Sequence, residues 1–274
     1  MKQQEMEIIS VGNELLIGKT MNTNAHWLAK RATSFGMMVK RITVITDDTN
    51  EIVKAVREAL LRKPRFIITT GGLGPTFDDK TLSGIAKALH RKVKVNKEAL
   101  AMVKAKYEAY AKAGRIDNVK LTAPRLKMAR LPEGAEPLTN PVGTAPGAML
   151  KLDDVVLIAL PGVPSEMETI FEGSVAPMLR ETAGRVVFYE KSIYADGIME
   201  STLAPLIDQT MKDNPYVYMK SHPRGQEQKP HLEIHFSTTA KQSKDAIDRV
   251  ERAVTQISEL IRKKSAKVRL TSID

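Results

Sequence analysis

Apolar runs and helical repeats alternate along the first two thirds of the chain. "MEIISVG" (6–12) reads as a buried strand, and "KRITVIT" (40–46) and "RFIITT" (65–70) as further strands. Helices are predicted over 24–36, closed by Gly36, and over 50–62, where Ile52, Val53, Val56 and Leu60 share a face. A further helix over about 79–90 puts Leu82, Ile85, Ala86 and Leu89 at i, i+3, i+4 and i+7. Then come a charged helix near 96–113, an irregular Pro- and Gly-bearing region to about 146, the strands "GAMLKL" and "VVLIAL", and a helix over 164–180. This alternation predicts a doubly wound α/β domain, its sheet mostly parallel and covered on both faces.

After about residue 182 the order becomes β-α-β-β-α. Its parts are the strand "RVVFYEKSIYA", the helix "MESTLAPLIDQTM" containing Pro205, the strands "YVYMKSH" and "HLEIHFSTTA", and a helix over 243–264. "PRGQEQKP" reads as a hairpin connection between the last two strands. Two domains are therefore expected: residues 1–181, and a smaller α+β unit over 182–274.

Composition narrows the class. An apolar content of 42% is that of a soluble protein, and the run "VVLIAL" is far too short to span a bilayer. No secretory signal precedes the first strand, so no membrane partner and a cytoplasmic location are expected. Without cysteine there are no disulfides and no thiolate metal site. A net charge of +10 favours anionic partners, either nucleic acid or a phosphorylated small molecule. The basic run "RKKSAKVR" near the carboxy terminus reads as a solvated tail.

Candidate chemistry lies in the loops after the strands. "GNELLIGKT" is not a P-loop, because five residues (Asn13 to Ile17) separate its glycine from Gly-Lys-Thr where that motif has four. It leaves Gly12, Asn13 and Glu14 at a strand end. "TTGGLGPTFDD" is the strongest signal. Its glycines permit positive φ and close approach to the backbone, and a helix starting near Asp79 would offer free N–H groups to a phosphate. Asp78 capping that helix and Asp79 complementing its dipole is the competing explanation. In "ITDDTNEI", capping accounts for one acid, Asp48, while Asp47, given neighbouring strands, would share a sheet edge with Asp79 and help hold a metal. "LTNPVGTAPGAML" and "ALPGVPSEM" add two more loops, with Asn140, Gly143, Thr144, Pro161, Gly162 and Glu166. In "HLEIHF", His231, Glu233 and His235 share one strand face, as a metal set or simply a wet face. Trp27 is expected in the core.

Together "GNELLIGKTMNTNAHWLA", "VITDDTNEI", "TTGGLGPTFDDKT", "TNPVGTAPGAM" and "LPGVPSEM" resemble the molybdopterin-binding (MoCF) domain, in the form found in the competence/damage-inducible CinA family. The segments stand in family order over about residues 6–170. The resemblance implies a molybdenum-cofactor-type α/β fold with a ligand at the strand carboxyl ends, and functional roles for Asp79 and Asp47. It also implies a metal-dependent ADP-ribose pyrophosphatase. The carboxy-terminal nicotinamide-mononucleotide deamidase domain of many members is expected to be missing here, so deamidation is not carried over. The second unit is similar to that family's KH-like connecting domain, but "ADGIME" lacks the GXXG clamp, and nucleic-acid binding is not expected.

The expected function is hydrolysis of a nucleotide diphosphate such as ADP-ribose with a divalent metal, Mg-class or transition. Asp47 and Asp79 are the catalytic and metal-holding residues. Gly12, Asn13, Glu14, Thr70, Gly71, Gly72, Gly74, Thr76 and Asp78 contact the ligand, together with the six residues named above in the two later loops. Pterin binding or adenylyl transfer is the alternative enzyme reading, and ligand binding without chemistry the third. The resemblance further implies a homo-oligomer.

Overall fold

A computed structural model describes residues 4–184, 186–224 and 230–270. The chain divides into two compact units, one holding the described residues up to Thr33 with Met37–Ala183, the other Ser34–Gly36 with the residues from Gly184 onward.

In the first unit, β1 (Glu5–Val11) leads through the single turn α1 (Asn13–Leu16) to α2 (Thr23–Ser34), then β2 (Met38–Ile45), α3 (Thr49–Arg62), β3 (Phe66–Thr70) and α4 (Thr81–Ala88). β4 (Val93–Val95), α5 (Lys97–Lys112), α6 (Ala123–Lys127), β5 (Arg130–Pro132) and β6 (Glu136–Leu138) follow. β7 (Gly147–Leu152), β8 (Val155–Leu160), α7 (Pro164–Ile170), a π-helical turn Phe171–Val175 and α8 (Ala176–Ala183) complete it. The sheet order is β2-β1-β3-β8-β7-β6. β2, β1, β3 and β8 run parallel, whereas β7 is antiparallel to both neighbours. The two-residue loop joining β7 to β8 forces that reversal, and Asp153 takes the left-handed φ of 49° that such a turn requires.

Strand pattern and burial agree. All five residues of β3 and all six of β8 are buried, as a strand covered on both faces demands. Ile9, Ile67 and Leu157 pack in one core with Ile52 and Val56 of α3, Ile85 of α4 and Ala99 and Val103 of α5. Their neighbours Ile8, Ile68 and Ile158 point the opposite way and are also fully buried, so the second face is covered too. Each such side chain contributes about 1.5–3 kcal/mol. Trp27 is half-buried and meets Phe171 edge-to-face at 5.2 Å.

The irregular stretch before residue 146 contains β5, β6 and α6, and the helix over 164–180 is broken by the π turn and runs on to Ala183. Among the described residues no helix is long and apolar enough to cross a membrane.

The second unit is an antiparallel sheet, β10-β11-β9-β12, formed by β9 (Val187–Asp196), β10 (Val217–Pro223), β11 (His231–Ala240) and β12 (Lys267–Leu270), with helices α9 (Glu200–Asp213) and α10 (Ser243–Arg262). Leu232, Ile234 and Phe236 of β11 pack with Val250, Val254, Ile257 and Ile261 of α10. The basic run expected as a tail is in part β12, paired with β9, where Arg269 clamps Asp196 at 2.7–2.8 Å. The hairpin connection lies mostly outside the described residues.

Candidate functional site

Register brings the loops together. Val11 is level with Ile45, Ser10 with Thr70, and Thr70 with Leu160, so four parallel strands end at one edge of the sheet. That carboxyl edge is where open α/β sheets bind ligands. A cleft of ≈ 340 Å³ lies there. Glu14, Asp47, Asp78, Asp79 and Glu166 all line it, along with Gly71, Gly72, Gly74, Thr76, Thr144, Pro161 and Gly162. Gly12, Asn13, Asn140 and Gly143, expected as ligand contacts, are not among the residues that line it. Thr70 faces a smaller neighbouring pocket of ≈ 90 Å³.

The glycine turn differs from the expected open cradle. Gly71 donates its N–H to the Leu160 carbonyl, and its own carbonyl accepts from the Thr81 hydroxyl at 2.8 Å, so its backbone extends the sheet. The glycines are needed because the chain is crowded. At φ +98°, a Cβ on Gly71 would lie 2.2 Å from the Val11 carbonyl oxygen, and one on Gly72 would lie 2.3 Å from the Thr81 hydroxyl. Gly74 differs: what its Cβ would meet is the movable Asp79 carboxylate at 2.7 Å. Gly71→Ala is therefore expected to destabilise the protein by more than about 2 kcal/mol in urea unfolding, through strain and a backbone clash. Gly74→Ala should instead displace the Asp79 carboxylate and cost less stability in the same measurement.

Neither acid of the turn caps α4. The helix starts at Thr81 with Lys80 as its N-cap residue, and no side chain caps it. Asp79 Oδ2 accepts from the Thr76 N–H at 2.7 Å and lies 2.6 Å from the Thr76 hydroxyl, which also meets Asp78 Oδ1. That hydroxyl holds the Asp78 carboxyl below the usual carboxylate range, helped by its own backbone N–H and by Lys127 and Lys80. Asp48, by contrast, is the N-cap of α3, accepting from the N–H groups of Asn50 and Glu51, which lower its pKa. Asp47 is fixed by a different contact: its Oδ2 accepts the Asn13 N–H at 2.8 Å. Asn13 and Gly12 thus serve the site indirectly, with the Glu14 carboxylate folded over the hydrogen face of Gly12.

The two later loops are joined by buried Asn140. Its Oδ1 accepts from the Gly143 N–H at 2.7 Å, and its amide group donates to the Ala145 carbonyl and to Glu166 Oε2 at 2.6 Å. A Cβ at 143 would lie 2.0 Å from the Glu166 carboxylate, so a larger residue there would displace that side chain. Asn24 was not anticipated as a site residue. Its amide donates to the Gly162 carbonyl 138 residues away, and only the segment "MNTNAHWLA" hinted at it.

In the second unit, His231 contacts Asp196 at 2.6 Å, Glu233 accepts from Ser192 and Arg224, and His235 lies 3.7 Å from Glu190. These residues pair across strands as a half-exposed face and do not converge on a metal.

The donors of the cleft fit a hard divalent cation. They are carboxylate oxygens, and no histidine lines the cleft among the described residues. No three His, Asp or Glu side chains among the described residues already form a metal cage. Magnesium does not require one, since substrate phosphates and waters complete its shell.

Residues 7–181 match a family model described as "Probable molybdopterin binding domain". A protein of Pyrobaculum arsenaticum is 46% identical over 256 residues, covering 93% of this chain and 94% of the relative. One of Sulfurisphaera tokodaii is 42% identical over 255 residues, covering 93% and 94%. The crystal structure of the protein CinA, with unknown function, from Thermoplasma acidophilum is similar at 40% identity and a TM-score of 0.58, covering 64% of this chain and 98% of that one.

Proposed function

The chain belongs to the molybdopterin-binding-domain family in its CinA-like form, and on that premise we propose that its cleft binds a nucleotide diphosphate of the ADP-ribose type and hydrolyses the pyrophosphate linkage with a divalent metal. One observation supports chemistry over simple binding. Asp78 and Asp79 both direct an oxygen at the Thr76 hydroxyl, which has only one hydrogen to give. Two carboxylates drawn to one donor leave charge that a cation would neutralise, and Asp47 lies on the same cleft.

The roles follow from what already holds each group. Asp47 is anchored through Oδ2 to Asn13, leaving Oδ1 for the metal. Asp79 is anchored through Oδ2 to Thr76, leaving its Oδ1 likewise. Glu166, in the first turn of α7 and oriented by Asn140, lines the same cleft and would order water against the phosphate. When bound, a metal of this class offsets phosphate charge and acidifies water.

The test is incubation of the pure protein with ADP-ribose and a panel of divalent metals, measuring AMP. Metal-dependent AMP release is expected, and chelation should abolish it. The family match is compatible with a second reading, pterin binding, with adenylyl transfer as the chemistry that would go with it. Absence of AMP together with tight pterin binding would replace the first reading with the second.

A further inference from the structure

The ligand proposed above meets an electrostatic obstacle. Five carboxylates line the cleft, and among the described lining residues there is no lysine or arginine. A pyrophosphate group carries about two negative charges, so a single divalent ion cannot offset both the ligand and the site. Like charges close together near a protein surface repel, and the water of an open cleft screens this only in part. Another cation must take part.

Lys127 occupies the right place. Its ammonium donates to the carbonyl of Thr76, the residue whose N–H and hydroxyl hold Asp79 and Asp78. Its charge also acts on Asp78. The backbone is anchored on both sides: Lys127 ends α6, which Thr122 caps, and the next residue, Met128, is buried and lines the cleft. The side chain, by contrast, is a flexible four-carbon stem joined to one neutral carbonyl. An ammonium gains more from a phosphate oxygen than from an amide oxygen, because both partners of that bond are ionised. Lys127 is the last residue before a cleft wall and 51 residues from the turn it touches, so no local motif marks it.

We propose that Lys127 is a specificity-determining residue that moves from the Thr76 carbonyl to a phosphate oxygen of the bound pyrophosphate group. This rests on the reading of the cleft as a pyrophosphate site. The competing role is a latch, in which Lys127 only braces the turn. Lys127→Gln separates the two, since an amide N–H can still donate to the Thr76 carbonyl but carries no charge. Lys127→Arg keeps the charge.

The experiment is calorimetric titration of the full chain with inorganic pyrophosphate at saturating Mg²⁺, alongside ADP-ribose kinetics and thermal melts. Lys127→Gln is expected to weaken pyrophosphate binding by about tenfold or more, as loss of a charged hydrogen bond does. Lys127→Arg should stay within about threefold of wild type, and the weaker binding of Lys127→Gln should depend less steeply on salt. The same variant should raise KM for ADP-ribose more than it lowers kcat. Wild-type affinity in Lys127→Gln overturns the proposal in favour of the latch, as does a loss that merely follows a lowered melting temperature. If the wild-type chain releases no AMP yet shows the Lys127-dependent pyrophosphate affinity, hydrolysis fails and the anion contact stands. A wild-type chain that binds no pyrophosphate overturns both.

Discussion

Replacing Asp79 by asparagine is expected to lower AMP release from ADP-ribose by roughly 10²–10³-fold, the usual loss when one preorganised charge-stabilising group is removed. The fold should survive, because the turn uses Asp79 as an acceptor and an amide oxygen can take over. Oδ2 now receives the Thr76 N–H at 2.7 Å, and an asparagine Oδ1 can occupy that position. What asparagine cannot supply is negative charge toward a divalent cation. Asp79→Ala removes the acceptor as well, leaving the turn without its anchor, so only the asparagine variant isolates chemistry from structure. Asp47→Asn should behave in the same way, since its Oδ2 contact with the Asn13 N–H is equally satisfied by an amide oxygen. Rates should be compared at matched metal concentrations, with melting temperatures recorded for both variants. Retained activity in Asp79→Asn would remove this residue from the proposed metal site. An early melt would show that its chief task is to close the turn.

That ambiguity explains how far the site could be read from the sequence. β3 and β8 are legible because strands buried on both faces are continuous apolar runs, whereas the edge strand β2 shows itself through its alternation with helical segments. Asp48 was correctly seen as a possible cap. Asp78 and Asp79 raised the same possibility from the same chemistry, yet their side chains turn back to Thr76 and α4 begins two residues after them without a side-chain cap. An aspartate near free N–H groups satisfies either arrangement, and spacing alone does not choose. The glycines were recognised, but the reason for Gly71 is the Val11 carbonyl, a neighbour set by strand pairing. β5 and β6 span three residues each, too few for a two-residue period to declare itself, and both contain proline. β12 was hidden because the outward positions of an edge strand are lysine and arginine, which look like tail. Asn24 and Lys127 act over 138 and 51 residues of separation, where only the fold supplies the partner.

The largest stability effect is expected from one ion pair. Glu7 sits in the middle of β1, between β2 and β3, with only 3% of its surface exposed. Both its oxygens accept from Arg62, at 2.7 Å each, and the bond raises the arginine's already high pKa. Arg62→Met would leave a carboxylate buried and unpaired, costing about 3–5 kcal/mol. At roughly 2–4 °C per kcal/mol for a chain of this size, the melting temperature should fall by on the order of 10 °C. Arg62→Lys should recover only part of this, because an ammonium cannot form the two parallel bonds of a guanidinium. The double variant Glu7→Leu, Arg62→Met should regain most of the loss, since an apolar pair of similar volume needs no counter-charge at this position. Lys40 and Glu5, 3.6 Å apart and much more exposed, provide the control: breaking that pair should shift stability by less than about 1 kcal/mol. Urea unfolding of the four variants decides the matter. A single Arg62→Met variant as stable as wild type would mean that Glu7 reaches water or another partner, and that the strand tolerates its charge alone.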